Sequence, residues 1–215
     1  MGEFSDDGSR SPRGVGPAEP ESKRRLRDAI VDAARAQAVA AGWDGVRMGG
    51  VATAAGVSRQ TVYNEFSSKA GLAEALARRE VDRFVAEVRS ALDAHGADVR
   101  AGAYAAIRHT LASAADNPLI KAILTSARGG SDELLPYLTT RAGLVLAEST
   151  AALLDWANRH LPEADPAALA FAADTIVRLV VSHIVLPQAP VDHTATQLAD
   201  LAVHLFHTAT TPPTS

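Results

Sequence analysis

The segment from Met48 to Lys69, MGGVATAAGVSRQTVYNEFSSK, constrains the fold more than any other part of the chain. Gly56 follows a run typical of a short helix, and glycine ends helices because it adopts a left-handed φ at no steric cost. Ser58 can then cap a new helix by accepting a hydrogen bond from a backbone N–H of the first turn. The segment therefore predicts a helix from about Met48 to Ala55, a tight turn and a second helix, which together form a helix-turn-helix.

The second helix of this segment has an apolar face and a polar face. Val62 and Phe66 lie four residues apart, so both point inward. The remaining positions carry side chains that suit DNA, because Arg pairs with guanine, Gln and Asn pair with adenine, and Thr and Tyr reach phosphate oxygens. We interpret this polar face as a DNA-reading surface that comprises Ser58, Arg59, Gln60, Thr61, Tyr63 and Asn64.

A third helix begins directly afterwards, at Ser67-Ser68-Lys69. The free N–H groups and the positive dipole end at a helix N-terminus favour a phosphate, and Lys69 adds a positive charge. We therefore expect Lys69 to hold the DNA backbone beside the groove.

The string VATAAGVSRQTVYNEFSSKAGL closely resembles the helix-turn-helix of the tetracycline-repressor (TetR) family of bacterial transcription regulators, and the resemblance covers roughly residues 22–80. It implies an all-α fold with an N-terminal three-helix DNA-binding domain and a larger C-terminal helical domain for ligand binding and dimerisation. It further implies a homodimer formed through the last two helices, a repressor that binds double-stranded DNA at an inverted-repeat operator, and release by a small-molecule effector.

The first helix of the motif departs from the family pattern at its start. Arg47 stands where the family usually has a capping Thr or Ser, and Gly49-Gly50 follows at an intrinsic cost of about 1 kcal/mol per glycine relative to alanine. Two interpretations stay open. Either the helix is loosely held and orders on DNA with Arg47 on a phosphate, or the departure has no consequence.

The charge distribution agrees with a DNA-binding N-terminal part, although the whole chain carries a net charge of −4. Residues 22–79 hold ten basic and five acidic residues, whereas residues 80–215 carry a net charge of −6. A basic domain on an acidic remainder is the pattern expected of a protein that displaces counterions from DNA with one part only.

Helical periodicity and breaker residues predict the organisation of the rest of the chain. We expect a disordered arm at 1–21, a DNA-binding domain at 22–68, a ligand-binding and dimerisation domain at 69–209 and a flexible tail at 210–215. The predicted helices run from Ser22 to Ala41, Lys69 to Ala94, Val99 to Ala115, Pro118 to Ser126, Asp132 to His160, Asp165 to Leu186 and Asp192 to Ala209, besides the two of the motif.

Several classes of function are disfavoured by the sequence. The chain contains no cysteine, which excludes disulfides, thiolate catalysis and zinc-thiolate sites. We predict no catalytic residues, no cofactor and no metal site, and interpret His193, His204 and His207 as surface or interface residues. The apolar stretch from Ala167 to Leu186 contains Asp174, Arg178 and His183, so we expect a helix packed within a cytoplasmic protein, with Asp174 paired to Arg178.

The C-terminal helices are expected to enclose an apolar cavity for a hydrophobic, fatty-acid-like effector. Arg108 or Arg141 would meet a carboxylate. The alternative function is a helical lipid-binding or carrier protein without DNA binding. The candidate lining residues are Tyr104, Ile107, Arg108, Leu111, Ile120, Leu124, Leu138, Arg141, Leu144, Trp156, Phe171 and Thr175.

Overall fold

The computed structural model describes residues 21–116 and 135–210, with side chains described for 21–116 and 145–210. Within these ranges the chain is all-α, with eight helices and no strand, as the sequence predicts. The helices are α1 (Glu21–Gly45), α2 (Met48–Ala54), α3 (Arg59–Phe66), α4 (Lys69–Asp93), α5 (Val99–Asp116), α6 (Leu135–His160), α7 (Pro166–Val185) and α8 (Val191–Thr210).

The boundaries of these helices follow the local signals closely. Gly42 interrupts α1 with a φ of 70°, directly after the predicted end of that helix. Asp165 caps α7 by accepting a hydrogen bond from the backbone N–H of Ala168 at 2.9 Å, and Pro166 follows it in the first turn. The predicted helix at 118–126 lies outside the described residues, as do residues 132–134 of the helix that the structure describes from Leu135.

One predicted cap needs correction. Helix α1 already includes Glu21, so Ser22 lies in the first turn instead of at the N-cap. An acidic residue in the first turn interacts favourably with the positive end of the helix dipole, and Glu21 also pairs with Arg25 four residues later. These interactions support the helix start in place of a serine cap.

We call α1 to α3 the head and α4 to α8 the body. In the head, fully buried aliphatic side chains from all three helices and the following α4 form the core, including Ile30, Val51, Val62 and Leu72. The body is a helical bundle in which α5 packs most extensively on α8, and α4 packs on α5 and α6. Helix α4 therefore contributes to both cores.

Ion pairs join α4 to α1 along one side. The Nε of Arg35 donates to Oε1 of Glu80 at 2.8 Å, and Glu80 is only 3% exposed. The preceding residue, Arg79, donates to the carbonyl oxygen of Asp28 at 3.0 Å and pairs with the carboxylate of Asp32 at 2.5 Å. We call these contacts the α1–α4 seam, and they connect the head directly to the long helix of the body.

Helix α7 is the one helix in the described part of the chain that is long and apolar enough to cross a membrane, with a mean hydropathy of 1.7. Only 33% of its apolar window is buried within the chain, less than the sequence predicts, because one side faces outward and leaves Phe171 69% exposed. The predicted pair is present, with Arg178 donating to Asp174 at 2.7 Å. Core helices of soluble proteins meet the same length and hydropathy criteria, so the observation is weak evidence for insertion.

Candidate nucleic-acid interface and effector cavity

Helix α3 begins with the cap that the sequence predicts. The Oγ of Ser58 accepts a hydrogen bond from the backbone N–H of Thr61 at 3.0 Å and lies 2.8 Å from the Thr61 hydroxyl. Gly56, with a φ of 69°, makes the preceding turn. Because both Ser58 and Thr61 are engaged in this cap, their main role in the structure is to define where α3 starts.

The outer face of α3 is polar and accessible, whereas Val62 and Phe66 are buried. Arg59, Gln60 and Asn64 are exposed, and Thr61 and Tyr63 are half-buried. The amide of Gln60 donates to the side-chain oxygen of Asn64 at 2.8 Å. The guanidinium of Arg59 lies 5.5 Å from the centre of the Tyr63 ring. The structure thus presents two ordered side-chain pairs on the surface that the sequence assigns to DNA.

The junction between α3 and α4 is tightly packed. The Oγ of Ser68 accepts from the backbone N–H of Gly71 at 3.1 Å and so caps α4. A Cβ on Gly71 would lie 2.1 Å from the carbonyl oxygen of Phe66, so only glycine permits this approach. The ammonium of Lys69 lies 5.4 Å from the centre of the buried Trp43 ring, which holds the charge at the start of α4.

The start of α2 lacks a side-chain cap, as the departure at Arg47 suggests. Gln37 of α1 compensates in part, because its Oε1 accepts from the backbone N–H of Arg47 at 3.3 Å. The exposed guanidinium of Arg47 donates to the carbonyl oxygens of Asp44 and Val46. Arg47 therefore folds back onto its own loop, and a phosphate would have to replace those contacts.

A contact between α1 and α3 was not predicted from the sequence. Nη1 of Arg27 lies 3.2 Å from both the carboxylate and the carbonyl oxygen of Glu65, and the guanidinium lies 4.8 Å from the centre of the Phe66 ring. In the sequence Arg27 belongs to a basic cluster, and Glu65 is 38 residues away, so no local signal identifies the pair. The contact holds α3 at its angle to α1.

A largely apolar cavity, called the main cavity because five helices line it, lies between α4, α5, α6, α7 and α8 and has a volume of about 60 Å³. Helix α4 supplies three of its wall residues, and the polar groups of the described lining are the hydroxyls of Thr110 and Ser149. The described lining residues are Phe84, Val88, Leu92, Ala103, Ala106, Ile107, Thr110, Val145, Leu146, Ser149, Leu153, Ile176, Val177, Val180, Val181 and Ala202.

Among the candidate lining residues with described side chains, only Ile107 contributes to this cavity. Arg108 points outward and donates to Asp192 of α8 at 2.6 Å, a hydrogen bond that raises the pKa of its guanidinium. Tyr104 reaches the same carboxylate at 3.4 Å. Both side chains have an apolar body and a polar tip, and the tips pair with Asp192 at the surface. The amphipathic pattern of α5 alone does not distinguish such side chains from those that line a cavity.

The other candidate residues also lie away from this cavity. Trp156 is fully buried in the body core beside Gly102 and His160, and Phe171 is on the outer face of α7. Thr175 is half-buried without lining the cavity, and Leu111 lines a second cavity. Ile120 and Leu124 lie outside the described residues, as do the side chains of Leu138, Arg141 and Leu144.

No group of three or more His, Cys, Asp or Glu residues that could hold a metal ion occurs in the described part of the chain. His193, His204 and His207 are all exposed along α8. These three histidines therefore belong to no such group in the part of the chain that the structure describes.

The chain matches two family descriptions over most of its length. Residues 30–76 match "Bacterial regulatory proteins, tetR family", and residues 98–204 match "Bacterial Tetracyclin repressor, C-terminal domain". The HTH-type transcriptional regulator AlkX of Mycobacterium tuberculosis is 33% identical over 181 residues, which cover 84% of each chain.

Solved structures agree with this assignment. The TetR family repressor AlkX from Dietzia sp. strain DQ12-45-1b is 29% identical, with a TM-score of 0.65 over 84% of this chain and 97% of that chain. A TetR-family regulator from Rhodococcus sp. shares the fold at 21% identity, with a TM-score of 0.60 over 85% of this chain and 99% of that chain. The protein belongs to the TetR family of bacterial transcriptional regulators, which are DNA-binding proteins and not enzymes.

Proposed function

We propose that the protein is a cytoplasmic homodimeric repressor that binds an inverted-repeat operator through α3 and leaves it when a small apolar molecule enters the body. The observation that carries this proposal is the outer face of α3, where exposed Arg59, Gln60 and Asn64 lie on a helix anchored by buried Val62 and Phe66. A rigid helix with base-reading side chains on its free face suits the major groove.

The proposed dimer interface consists of the outer faces of α7 and α8. Phe171 and Leu186 are exposed in the single chain, and the window of α7 that has a mean hydropathy of 1.7 is mostly unburied. A second copy that covers this face would remove apolar surface from water and place two α3 helices in successive grooves. The operator would then be an inverted repeat.

The proposed effector is a molecule with an aliphatic chain, such as an alkane or a fatty acid. The cavity of about 60 Å³ is smaller than one that admits benzene, so such a chain would have to widen the bundle as it enters. The described wall of the main cavity is apolar except for Thr110 and Ser149. The Dietzia repressor, 29% identical to this chain, is implicated in biodegradation of n-alkanes. A carboxylate head would have to find its partner away from Arg108, because that side chain is bound to Asp192 on the surface.

Helix α4 is the proposed link between effector and DNA. Phe84, Val88 and Leu92 line the cavity, while Arg79 and Glu80 of the preceding turns form the α1–α4 seam. A ligand that displaces the C-terminal half of α4 would move the head through this seam. The separation of the two α3 helices in the dimer would then change. A coupling free energy of about 1 to 3 kcal/mol is typical of such regulation.

Selection of bound duplexes from a random DNA pool, followed by mobility shifts, tests the function. We expect an inverted repeat to be selected, and decane or decanoic acid to release it. Tyr63→Phe and Lys69→Met should weaken binding to all duplexes, whereas Gln60→Ala and Asn64→Ala should change the preferred bases. A protein that binds decanoic acid but retains no duplex at low salt would instead be a lipid carrier.

A further inference from the structure

A second cavity lies where the end of α5 meets the connection between α7 and α8. Its volume is about 110 Å³, and its described walls come from α5, from the last turns of α7 and from the first turn of α8. Leu111, Ala114, Ile184 and Val191 supply apolar surface. None of the described residues that line it lines the main cavity.

Two residues with polar side chains, His183 and Thr194, line this second cavity. Thr194 is only 4% exposed, and its hydroxyl forms no hydrogen bond with another residue of the described ranges. Other threonines behave differently, since Thr110 donates to the carbonyl oxygen of Ala106 at 2.9 Å and Thr196 donates to that of Asp192 at 2.8 Å. The half-buried ring of His183 likewise has no hydrogen-bond partner within those ranges.

Among the described residues, the fully buried side-chain polar atom without a partner is Nε1 of Trp156, so the Thr194 hydroxyl keeps some accessible surface. A water or a ligand hydroxyl in the cavity can therefore pair with it. A single ligand hydroxyl would satisfy both side chains, since it can donate to a nitrogen of the neutral imidazole and accept from the threonine. The apolar remainder of the wall requires an apolar body on the same molecule.

We propose that this cavity is a second ligand site, for a small molecule that has an aliphatic body and one hydroxyl placed between His183 and Thr194. The volume limits the size, since an engineered apolar cavity of about 150 Å³ admits benzene. A cavity of about 110 Å³ is smaller than that engineered cavity, so it matches a ligand of roughly four to six heavy atoms. This inference does not depend on the proposed repressor function.

The test uses the full-length protein and 1-butanol as the probe, observed through the methyl resonances of Ile184 and Val191 by NMR. We expect saturable shifts with 1-butanol. Thr194→Val keeps the shape of the side chain, and should weaken the affinity about fivefold, the equivalent of one neutral hydrogen bond. His183→Leu should weaken it by a similar factor. Diethyl ether, an isomer that cannot donate, should bind more weakly than 1-butanol.

The matched control is Thr110→Val, which removes a hydroxyl from the main cavity and should leave these shifts unchanged. The site is refuted if 1-butanol produces no saturable shift in the parent protein. It is equally refuted by unchanged affinity in both Thr194→Val and His183→Leu, by equal affinity for the ether, or by loss of binding in Thr110→Val. Thermal melts of each variant check that the fold is retained.

Discussion

The head and the body of this protein are both helical, but they depend on different kinds of information. In the head, neighbouring residues determine where the helices of the motif begin and turn, through the cap between Ser58 and Thr61, the turn at Gly56 and the close approach at Gly71. In the body, the main cavity arises where five helices meet, and contacts between residues distant in sequence position its walls. A DNA-reading surface can thus be formed by residues close in sequence, whereas a ligand site is assembled from residues far apart in sequence.

The largest expected effect comes from Gly71→Ala, which tests whether local geometry determines the head. The new Cβ would lie 2.1 Å from the carbonyl oxygen of Phe66, and backbone cannot move aside as a side chain can. We expect a loss of about 3 kcal/mol or more in the free energy of unfolding of the head, and loss of DNA binding. Urea denaturation followed by circular dichroism measures the first quantity.

Gly49→Ala is the matched control, because a Cβ at Gly49 in α2 meets no atom within 4 Å. This substitution should stabilise the head by about 0.5 to 1 kcal/mol, since alanine is the better helix former. If both substitutions changed stability in the same direction by similar amounts, the close approach at Gly71 would not be the cause.

The next effect is at the boundary between the two regions. Glu80→Gln removes the charge that pairs with Arg35 and leaves a partly buried guanidinium without its carboxylate. We expect a loss of about 1 to 3 kcal/mol in the free energy of unfolding and weaker transmission from effector to DNA. Hydrogen exchange of α1 amides with and without decanoic acid would detect the second change. Equal exchange responses in parent and variant would contradict a role of the seam in coupling.

A smaller effect on stability is expected when the main cavity is filled. Ala106→Leu places three additional carbon atoms in a space of about 60 Å³. The free energy of unfolding should change by less than about 1.5 kcal/mol, because the added atoms gain apolar contacts but leave little spare room. The DNA affinity should persist while decane no longer releases the operator in mobility shifts. A variant still released by decane would show that the effector binds elsewhere.

The smallest effect is expected for an exposed ion pair of the body, between Arg100 and Asp200 at 2.7 Å. Both side chains are more than half exposed, so solvent screens their attraction. Asp200→Asn should cost no more than about 1 kcal/mol in chemical denaturation. A larger loss would mean that this surface contact contributes more than its exposure implies.

The sequence predicts those parts of the fold whose causes are local. The starts of α3 and α7 follow from Ser58 and Asp165, and the inward positions of Val62 and Phe66 follow from helical spacing. The same periodicity cannot distinguish a cavity wall from a surface pair, which is why Arg108 and Tyr104 were expected inside and instead contact Asp192. Arg27 and Glu65 illustrate the same limit, since no residue close in sequence to either one indicates that the two side chains pair.

The direct measurement of the central claim is the affinity of Arg59→Ala and Arg89→Ala for the selected operator at several salt concentrations, by fluorescence anisotropy. Both arginines are exposed, one on α3 and the other on α4 within the body. We predict that Arg59→Ala weakens binding by about 1 to 3 kcal/mol while Arg89→Ala matches the parent protein. Equal affinities for both variants, or loss only in Arg89→Ala, would contradict the assignment of α3 as the helix that reads DNA.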